Sequence, residues 1–394
     1  MRRMGLERPA GAVVPSGPVL PFESMDILRF RGLRGLRLAG FGRLNILVGG
    51  NNCGKTSVLE AFELCCDPLS PMRWISVADR RDIGSNSVDR VDNVFWMFPV
   101  DSTSPDARTR YLDIETVGRT PRRLEARADI LEVTGFEDRP SAEFTRLIRN
   151  TTARSRNEVA PPDRLLESGR ALQVNVTLPH DEEPRHALMR LIEGERFTQE
   201  ADEQAGPRVP CASVTPLSHR YRNIHAARLS EAKESGLDHE AVALIQQFDP
   251  DIVGLDILAR QGTYADLRVR HKRLGLAPLN AFGDGLRRAL LYALTLPQVR
   301  GGVLLLDEVE SAIHVRALGR VFEWLGKACE QFDVQLFVST HSLEAIDALL
   351  GPDEQSAGRI VGFHLPTQPA TGEVTRYDGP LLARLVRERG LDVR

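Results

Sequence analysis

Apolar and polar residues trade places at every step in Leu28-Arg29-Phe30-Arg31 and again in Leu36-Arg37-Leu38, with Gly32 and Gly35 between the two runs. Such alternation turns one strand face inward, so the pair predicts a half-buried antiparallel hairpin. Leu44 to Val48 differs, because only Asn45 interrupts an apolar run of strand length. Val58, Leu59, Ala61 and Phe62 then fall at helical spacing and predict a helix over 56–66 with one buried face. The pattern is mixed from 67 to 104. Strand-like segments follow at 108–134 and 171–177, around a polar loop at 150–163, and helical periodicity is read at 186–195 and 221–248.

The last third is patterned most clearly. Leu286, Leu290, Leu291 and Leu294 predict a helix over 285–296, which Gly301 and Gly302 break. Val303 to Leu306 is a fully apolar strand. Val315, Leu318, Val321, Phe322 and Leu325 share one side of a helix over 314–330, and Gln335 to Ser339 reads as the next strand. A strand at 359–364, a hairpin partner at 373–377 and a helix near 379–390 close the chain. Strands alternating with helices imply α/β architecture, a mostly parallel sheet covered on its faces. No internal repeat and no heptad run of coiled-coil length is present.

Composition narrows the class without naming a function. The 394 residues hold core for two or three domains, and 42% hydrophobic with 27% charged residues is ordinary for a soluble globular chain. A net charge of −3 gives no global argument for nucleic acid or membrane. Pro9, Pro15, Pro18 and Pro21 interrupt the apolar stretch in 1–24, which is expected to be a loose leader ahead of a fold starting near Met25, neither signal peptide nor membrane helix. Five cysteines show neither a disulfide framework nor metal-ligand spacing, so a cytoplasmic location is expected, with no membrane partner.

Only four of the 51 basic residues are lysine, and one of them, Lys55, stands in Gly49-Gly50-Asn51-Asn52-Cys53-Gly54-Lys55-Thr56-Ser57. A glycine, four residues, then Gly-Lys-Thr is the phosphate-loop pattern: backbone N–H groups cradle phosphate, the lysine reaches the outer phosphates, and the hydroxyl holds Mg²⁺. A plain glycine-rich turn is the alternative. The flanks decide, since a strand precedes the loop and a helix N-terminus follows it. ATP and Mg²⁺ are the expected ligands, with residues 49 and 51–57 at the nucleotide and Thr56 at the metal.

The chemistry also needs a second metal contact and a positioned water. Strand 303–306 ends in Asp307-Glu308, where the first acid suits Mg²⁺ and the second suits orienting or deprotonating the attacking water. His341, just past the strand at 335–339, is placed to hydrogen-bond a γ-phosphate. Gly283 and Gly285 precede or open a helix and leave N–H groups free for an anion.

Together these motifs resemble the ABC-type ATPase heads, whose phosphate loop, signature loop, acidic strand end, D-loop and switch histidine match 49–57, 282–286, 304–308, 311–314 and 341. More closely, "NNCGKTSVLEAF", "FGDGLRRALLYAL", "LLLDEVESAIH", "VQLFVSTHS" and "FDPDIVGLDIL" are similar to the stand-alone AAA/ABC ATPases related to the overcoming-lysogenization-defect (OLD) nucleases. The likeness covers about 25–65 and 245–394. It implies a P-loop NTPase head of ABC type over 25–104 and 245–394, with a large α+β arm or lobe inserted at 105–244. It also implies a nucleotide-dependent homodimer or higher homo-oligomer in which Gly283, Gly285 and His314 meet nucleotide.

The departures weigh on coupling more than on ATP binding. The signature serine is absent, His314 occupies the D-loop aspartate position, and 67–104 offers no Q-loop glutamine. The OLD nucleases carry a C-terminal Toprim domain, whereas about fifty residues follow His341 here. The resemblance therefore implies an ATP-hydrolysing switch controlling a separate effector, a nuclease or toxin, in bacterial anti-phage defence. A RecF-like DNA-repair ATPase is the alternative, and an ABC transporter subunit is disfavoured by the altered signature and the long insertion. Nucleic acid is expected, if anywhere, at Arg268–Arg273 or in the arginine-rich 108–156, although no aromatic interleaving supports base stacking.

Overall fold

A computed structural model describes residues 19–81, 90–100, 108–133, 169–178, 185–192, 196–201, 208–258, 265–367 and 372–388. The expected loop at 150–163 and residues 1–18 of the expected leader lie outside this set. The chain begins with strands β1 (Ser24–Phe30), β2 (Leu33–Ala39) and β3 (Leu44–Val48), followed by helices α1 (Lys55–Cys66), α2 (Pro71–Asp79) and α3 (Arg90–Phe95). Next come β4 (Thr109–Val117), β5 (Arg122–Val133), β6 (Gly169–Leu178), β7 (Arg185–Ile192), β8 (Arg196–Ala201) and β9 (Cys211–Val214). Helices α4 (Arg222–Glu234) and α5 (Asp238–Ile245) lead to β10 (Ile252–Leu258), β11 (Asp266–His271) and β12 (Gly275–Pro278). The remainder is α6 (Asp284–Thr295), β13 (Val303–Leu306), α7 (Val315–Gln331), β14 (Gln335–Ser339), α8 (Leu343–Leu350), α9 (Glu354–Ala357), β15 (Ile360–His364), β16 (Thr375–Asp378) and α10 (Gly379–Arg387).

The central sheet has the order β16-β15-β3-β14-β13-β9, parallel except for the β16 edge, as a P-loop α/β core requires. Its strands are apolar on both faces because both faces are covered. Ile46, Val48, Leu304, Leu306, Leu336 and Val338 enter one core with α4–α8, while Leu47, Val303, Leu305 and Phe337 enter a second core with α1 and α2. An antiparallel sheet, β2-β1-β4-β5-β6-β7-β8, closes the second core, and β10-β11-β12 forms a small sheet over the first.

This layering accounts for four differences from the sequence reading. Helix α1 is buried on every side except at Thr56, because it lies between two sheets rather than on a surface. Its Phe62 ring stands 4.1 Å from Phe337 and 5.1 Å from Phe22. Phe22, expected in a loose leader, is wholly buried, and its backbone exchanges hydrogen bonds of 2.9 and 2.8 Å with the Gln335 side chain. Over 186–192 the expected helix is strand β7, in which Ala187, Met189 and Leu191 turn inward opposite β6, and 193–195 lie outside the described residues; pairing partners override the helix propensity of Ala, Leu and Met. Finally, Val315, expected on the buried side of α7, is exposed at that helix's first turn.

The expected insertion 105–244 is hydrogen-bonded to the head at both ends. Its β4 pairs with β1, and its β9 pairs with β13 in the central sheet.

Candidate functional site

Parallel strands β3, β14 and β13 all end at the same edge, which brings the sequence-distant motifs together. At the end of β3, Gly49 (φ 144°) and Gly54 (φ 97°) adopt backbone conformations that favour glycine. A Cβ at Gly49 would stand 2.7 Å from Cys53 Sγ, so the buried cysteine fills the space beneath the loop. Asn52 also has positive φ (64°), and Asn51 beside it is exposed. Lys55 is buried, and its Nζ donates to the carbonyls of Gly49 (2.7 Å) and Gly50 (2.9 Å), so the ammonium is held inside the loop's curve.

Thr56 Oγ1 donates to Asp307 Oδ2 at 3.0 Å, and Ser339 Oγ donates to the other carboxylate oxygen of Asp307. Glu308 N–H in turn donates to Ser339 Oγ at 2.9 Å. Ser339, which sequence reasoning missed, thus clamps the acid at the tip of β13 from the neighbouring strand. Glu308 has φ 46°, a strained region for a residue with a Cβ. Its carboxylate meets His341 Nε2 at 3.3 Å, with both side chains about 40% exposed, and Glu310 Oε1 accepts the His341 backbone N–H at 3.2 Å.

Arg288, on α6, was not anticipated. It is fully buried, its guanidinium is bonded to neutral oxygens, and Asp307 O (2.8 Å), Glu308 O (2.8 Å), Pro216 O (2.9 Å), Thr215 O (3.3 Å) and Tyr292 Oη (2.6 Å) accept from it. Burial pushes the Tyr292 hydroxyl above its ordinary pKa, so it stays protonated and donates to Val309 O at 3.2 Å. Arg287-Arg288 reads as a surface pair in sequence; only the helical spacing of Arg288 with Leu291 and Tyr292 hints that it faces inward.

A second unanticipated network lies on α1. Glu60 pairs with Arg31 and Arg81 at 2.7 Å each, and Glu63 pairs with Arg80 at 2.6 Å and Arg73 at 3.1 Å. Burial alone would raise the Glu63 pKa, but the two guanidiniums hold it below the usual carboxylate range. Arg81 also donates to Ser57 Oγ at 3.0 Å, which places a half-exposed cation beside the phosphate-loop helix.

Gly283 caps the N-terminus of α6, with open space where its Cβ would be. Gly285 is crowded instead, since a Cβ there would stand 2.9 Å from Ala312 O. His314 is exposed and caps α7, its Nδ1 accepting from Arg316 N at 3.2 Å. These three expected nucleotide contacts are therefore tied to the turn at 311–314 and to α6, whereas Lys55, Thr56, Asp307, Glu308 and His341 gather at the sheet edge.

The basic run at 268–273 is largely neutralised: Arg268 pairs with Asp266 (3.0 Å), Arg270 with Asp256 (2.8 Å) and Arg273 with Asp251 (2.6 Å). Nearby, Asp249, Asp251 and His271 offer ligand atoms within 4.8 Å of one another. His271 Nδ1 accepts from Arg273 N and Leu274 N, both at 3.1 Å, so Nε2 carries the proton that it donates to Asp249 Oδ2 at 3.1 Å. Both ring nitrogens are committed, and the group clamps the β11–β12 turn. Among the described residues, no helix is long and apolar enough to cross a membrane.

Residues 44–347 match the family model described as "AAA domain, putative AbiEii toxin, Type IV TA system". A Helicobacter pylori protein named ATP/GTP phosphatase is 23% identical over 350 residues, covering 83% of this chain and 87% of that one. The uncharacterized protein MJECL11 of Methanocaldococcus jannaschii is 37% identical over 115 residues, 28% of this chain and 98% of that one. Among solved structures, an SMC head bound to the C-terminal winged-helix domain of ScpA aligns with a TM-score of 0.45 at 10% identity, covering 94% of this chain and 99% of that one.

Proposed function

The chain belongs to this AAA domain family of P-loop ATPases, and from that premise we propose that it is a cytoplasmic, Mg²⁺-dependent ATP-hydrolysing switch that dimerises around nucleotide and controls a separate effector. The observation that carries the reading is the set Thr56, Asp307, Ser339, Glu308 and His341, linked pairwise at one sheet edge beside Lys55.

The residues fit the substrate and its metal. Lys55 needs only to exchange the Gly49 and Gly50 carbonyls for phosphate oxygens, a stronger charge-assisted pairing. Thr56 and Asp307 are hard oxygen donors already 3.0 Å apart and would hold Mg²⁺, which when bound neutralises charge on the β- and γ-phosphates. Glu308, exposed at the mouth, orients the attacking water or takes its proton, and His341 fixes the Glu308 carboxylate through their 3.3 Å contact.

Gly283 and Gly285 are assigned to the nucleotide of a second subunit, and the effector is read as a nuclease or toxin of an anti-phage system, in keeping with the OLD-like motifs. The RecF-like reading has less support, because aspartates pair the arginines of the basic run. The test is Mg²⁺-dependent phosphate release by the purified chain, with light scattering of the Glu308→Gln variant with and without ATP. Turnover and an ATP-driven dimer are expected. A chain that neither hydrolyses ATP nor changes its mass with ATP would sink the proposal.

A further inference from the structure

Beside the start of α6, away from the phosphate loop, lies a cavity of about 370 Å³, within the usual size range of small-ligand sites. Its wall carries Arg220, Arg268, Arg287, His219, Asn280 and Asp266. The donors outnumber the acceptors heavily. Three guanidiniums face the carboxylates of Asp266 and Asp284: Arg268 meets Asp266 at 3.0 Å, while Arg220 and Arg287 share Asp284 at 3.2 and 2.7 Å.

Two buried groups remain unanswered. His219, whose side chain is 1% exposed, has Nε2 in a long 3.5 Å contact with Asp284 Oδ2, while its Nδ1 has no hydrogen-bond partner. Arg268 Nε is likewise buried without an acceptor. Leaving the Arg268 Nε–H unpaired is unfavourable, so the cavity as built favours a guest that brings acceptors. His225 on the same wall has a carbonyl oxygen at each ring nitrogen, Tyr221 O at 3.3 Å and Arg287 O at 3.1 Å, and its single N–H donates to one of them.

We propose that this cavity binds the phosphate group of a small phosphorylated molecule, through Arg220, Arg268 and His219, at a site separate from the ATP site. The anion competes with Asp284 for Arg220, so occupancy loosens one tie on the first residue of α6 and reports directly to the signature loop. The inference goes beyond the ATP-switch reading, since it requires only the cavity.

The probe is pyrophosphate, titrated calorimetrically at fixed ionic strength into the full-length Lys55→Ala protein, which lacks the phosphate-loop cation. Saturable binding is expected. It should weaken about tenfold or more in the added Arg220→Ala/Arg268→Ala pair, which removes two charge-assisted partners. Arg273→Ala, at an exposed arginine paired with Asp251, should leave it unchanged. Asp266→Asn should tighten it, by about threefold, by freeing Arg268; a gain of affinity cannot come from misfolding. No saturable binding, equal weakening by Arg273→Ala, or no gain with Asp266→Asn each overturns the proposal. So does a single-stranded oligonucleotide that binds more tightly than pyrophosphate and loses that binding in the arginine pair, which would assign the site to nucleic acid.

Discussion

Replacing Arg288 with methionine separates what this residue does for folding from what it does for chemistry. Methionine keeps much of the volume and removes a buried charge, which is a gain, but five oxygens lose a donor. Each buried acceptor left unpaired costs about 1–3 kcal/mol. The bonds share one side chain, so their losses do not add in full, and the relieved desolvation offsets part of the sum. A net loss of about 3–5 kcal/mol follows, a large share of the roughly 5–15 kcal/mol that holds an ordinary domain folded. Urea denaturation measures it.

The same substitution should act on turnover, because Asp307 and Glu308 carbonyls accept two of the bonds and Glu308 holds a strained φ of 46°. A displacement of about 1 Å at a reacting group costs roughly 10²-fold in rate, so kcat should fall by about that factor. KM for ATP should change by less than about threefold, since the phosphate-loop N–H groups and Lys55 belong to β3 and α1 and make no bond to Arg288. Arg288→Lys keeps the charge but cannot span five acceptors with one ammonium, and it should resemble methionine in kcat. If kcat stays at the wild-type value while stability drops, Arg288 is a fold element only. If KM rises in step with the loss of kcat, the arginine acts on nucleotide binding and the reasoning fails.

Three further outcomes are expected. Lys55→Ala should weaken equilibrium binding of a labelled ATP analogue about 10–100-fold, the worth of one or two charge-assisted bonds; unchanged binding would remove the phosphate-site assignment. Gly283→Asp, chosen because its Cβ enters open space whereas one at Gly285 would meet Ala312 O, should be inactive alone yet regain ATPase activity when mixed with Lys55→Ala and allowed to exchange subunits. Proven exchange without recovered activity counts against shared sites. His225, buried between two carbonyls, is held below its ordinary pKa of 6.5 chiefly by burial; the unfolded chain therefore binds a proton that the folded chain refuses, and stability should fall as pH drops below about 6.5. His225→Gln should flatten that slope, and an unaltered slope would show that other groups set it.

Most of the site was legible because its signals are local. A glycine loop between a strand and a helix, or acids at the end of an apolar run, stand out within a dozen residues, and parallel strand order brings them together. The missed residues are those whose meaning depends on what lies opposite. Ser339 is an unremarkable strand-end serine until β14 settles beside β13 and puts it against Asp307. Glu60 and Glu63 read as the polar side of an amphipathic helix, and only the tertiary fold buries them against Arg31 just past β1, Arg73 on α2 and Arg80 just past α2. Strand β7 failed for a related reason: Ala187, Met189 and Leu191 have no strand propensity of their own, and their alternation makes sense only once β6 is in place. Of the arginines at 268–273, Arg268 pairs within its own strand with Asp266, whereas the partners of Arg270 and Arg273 come from elsewhere, Asp256 on β10 and Asp251 just before it.

The altered signature loop also has a physical reading in this framework. In the proposed shared site Gly283 and Gly285 would offer backbone N–H groups only, so their value would rest on where α6 is held rather than on a side chain. Two contacts hold it. Gly285 lies so close to Ala312 O that no Cβ fits, and Arg288, one turn further on, is bonded to the Asp307 and Glu308 carbonyls. A shift at the start of α6 would therefore bear on the Asp307 and Glu308 carbonyls, each bonded to Arg288 at 2.8 Å. Arg287 and Arg220 also hold Asp284, the first from a largely buried position at 2.7 Å and the second from an exposed one at 3.2 Å that salt screens more readily. Asp284 and Arg288 lie on the same helix, so the ion pairs of the first and the carbonyl bonds of the second bear on one element.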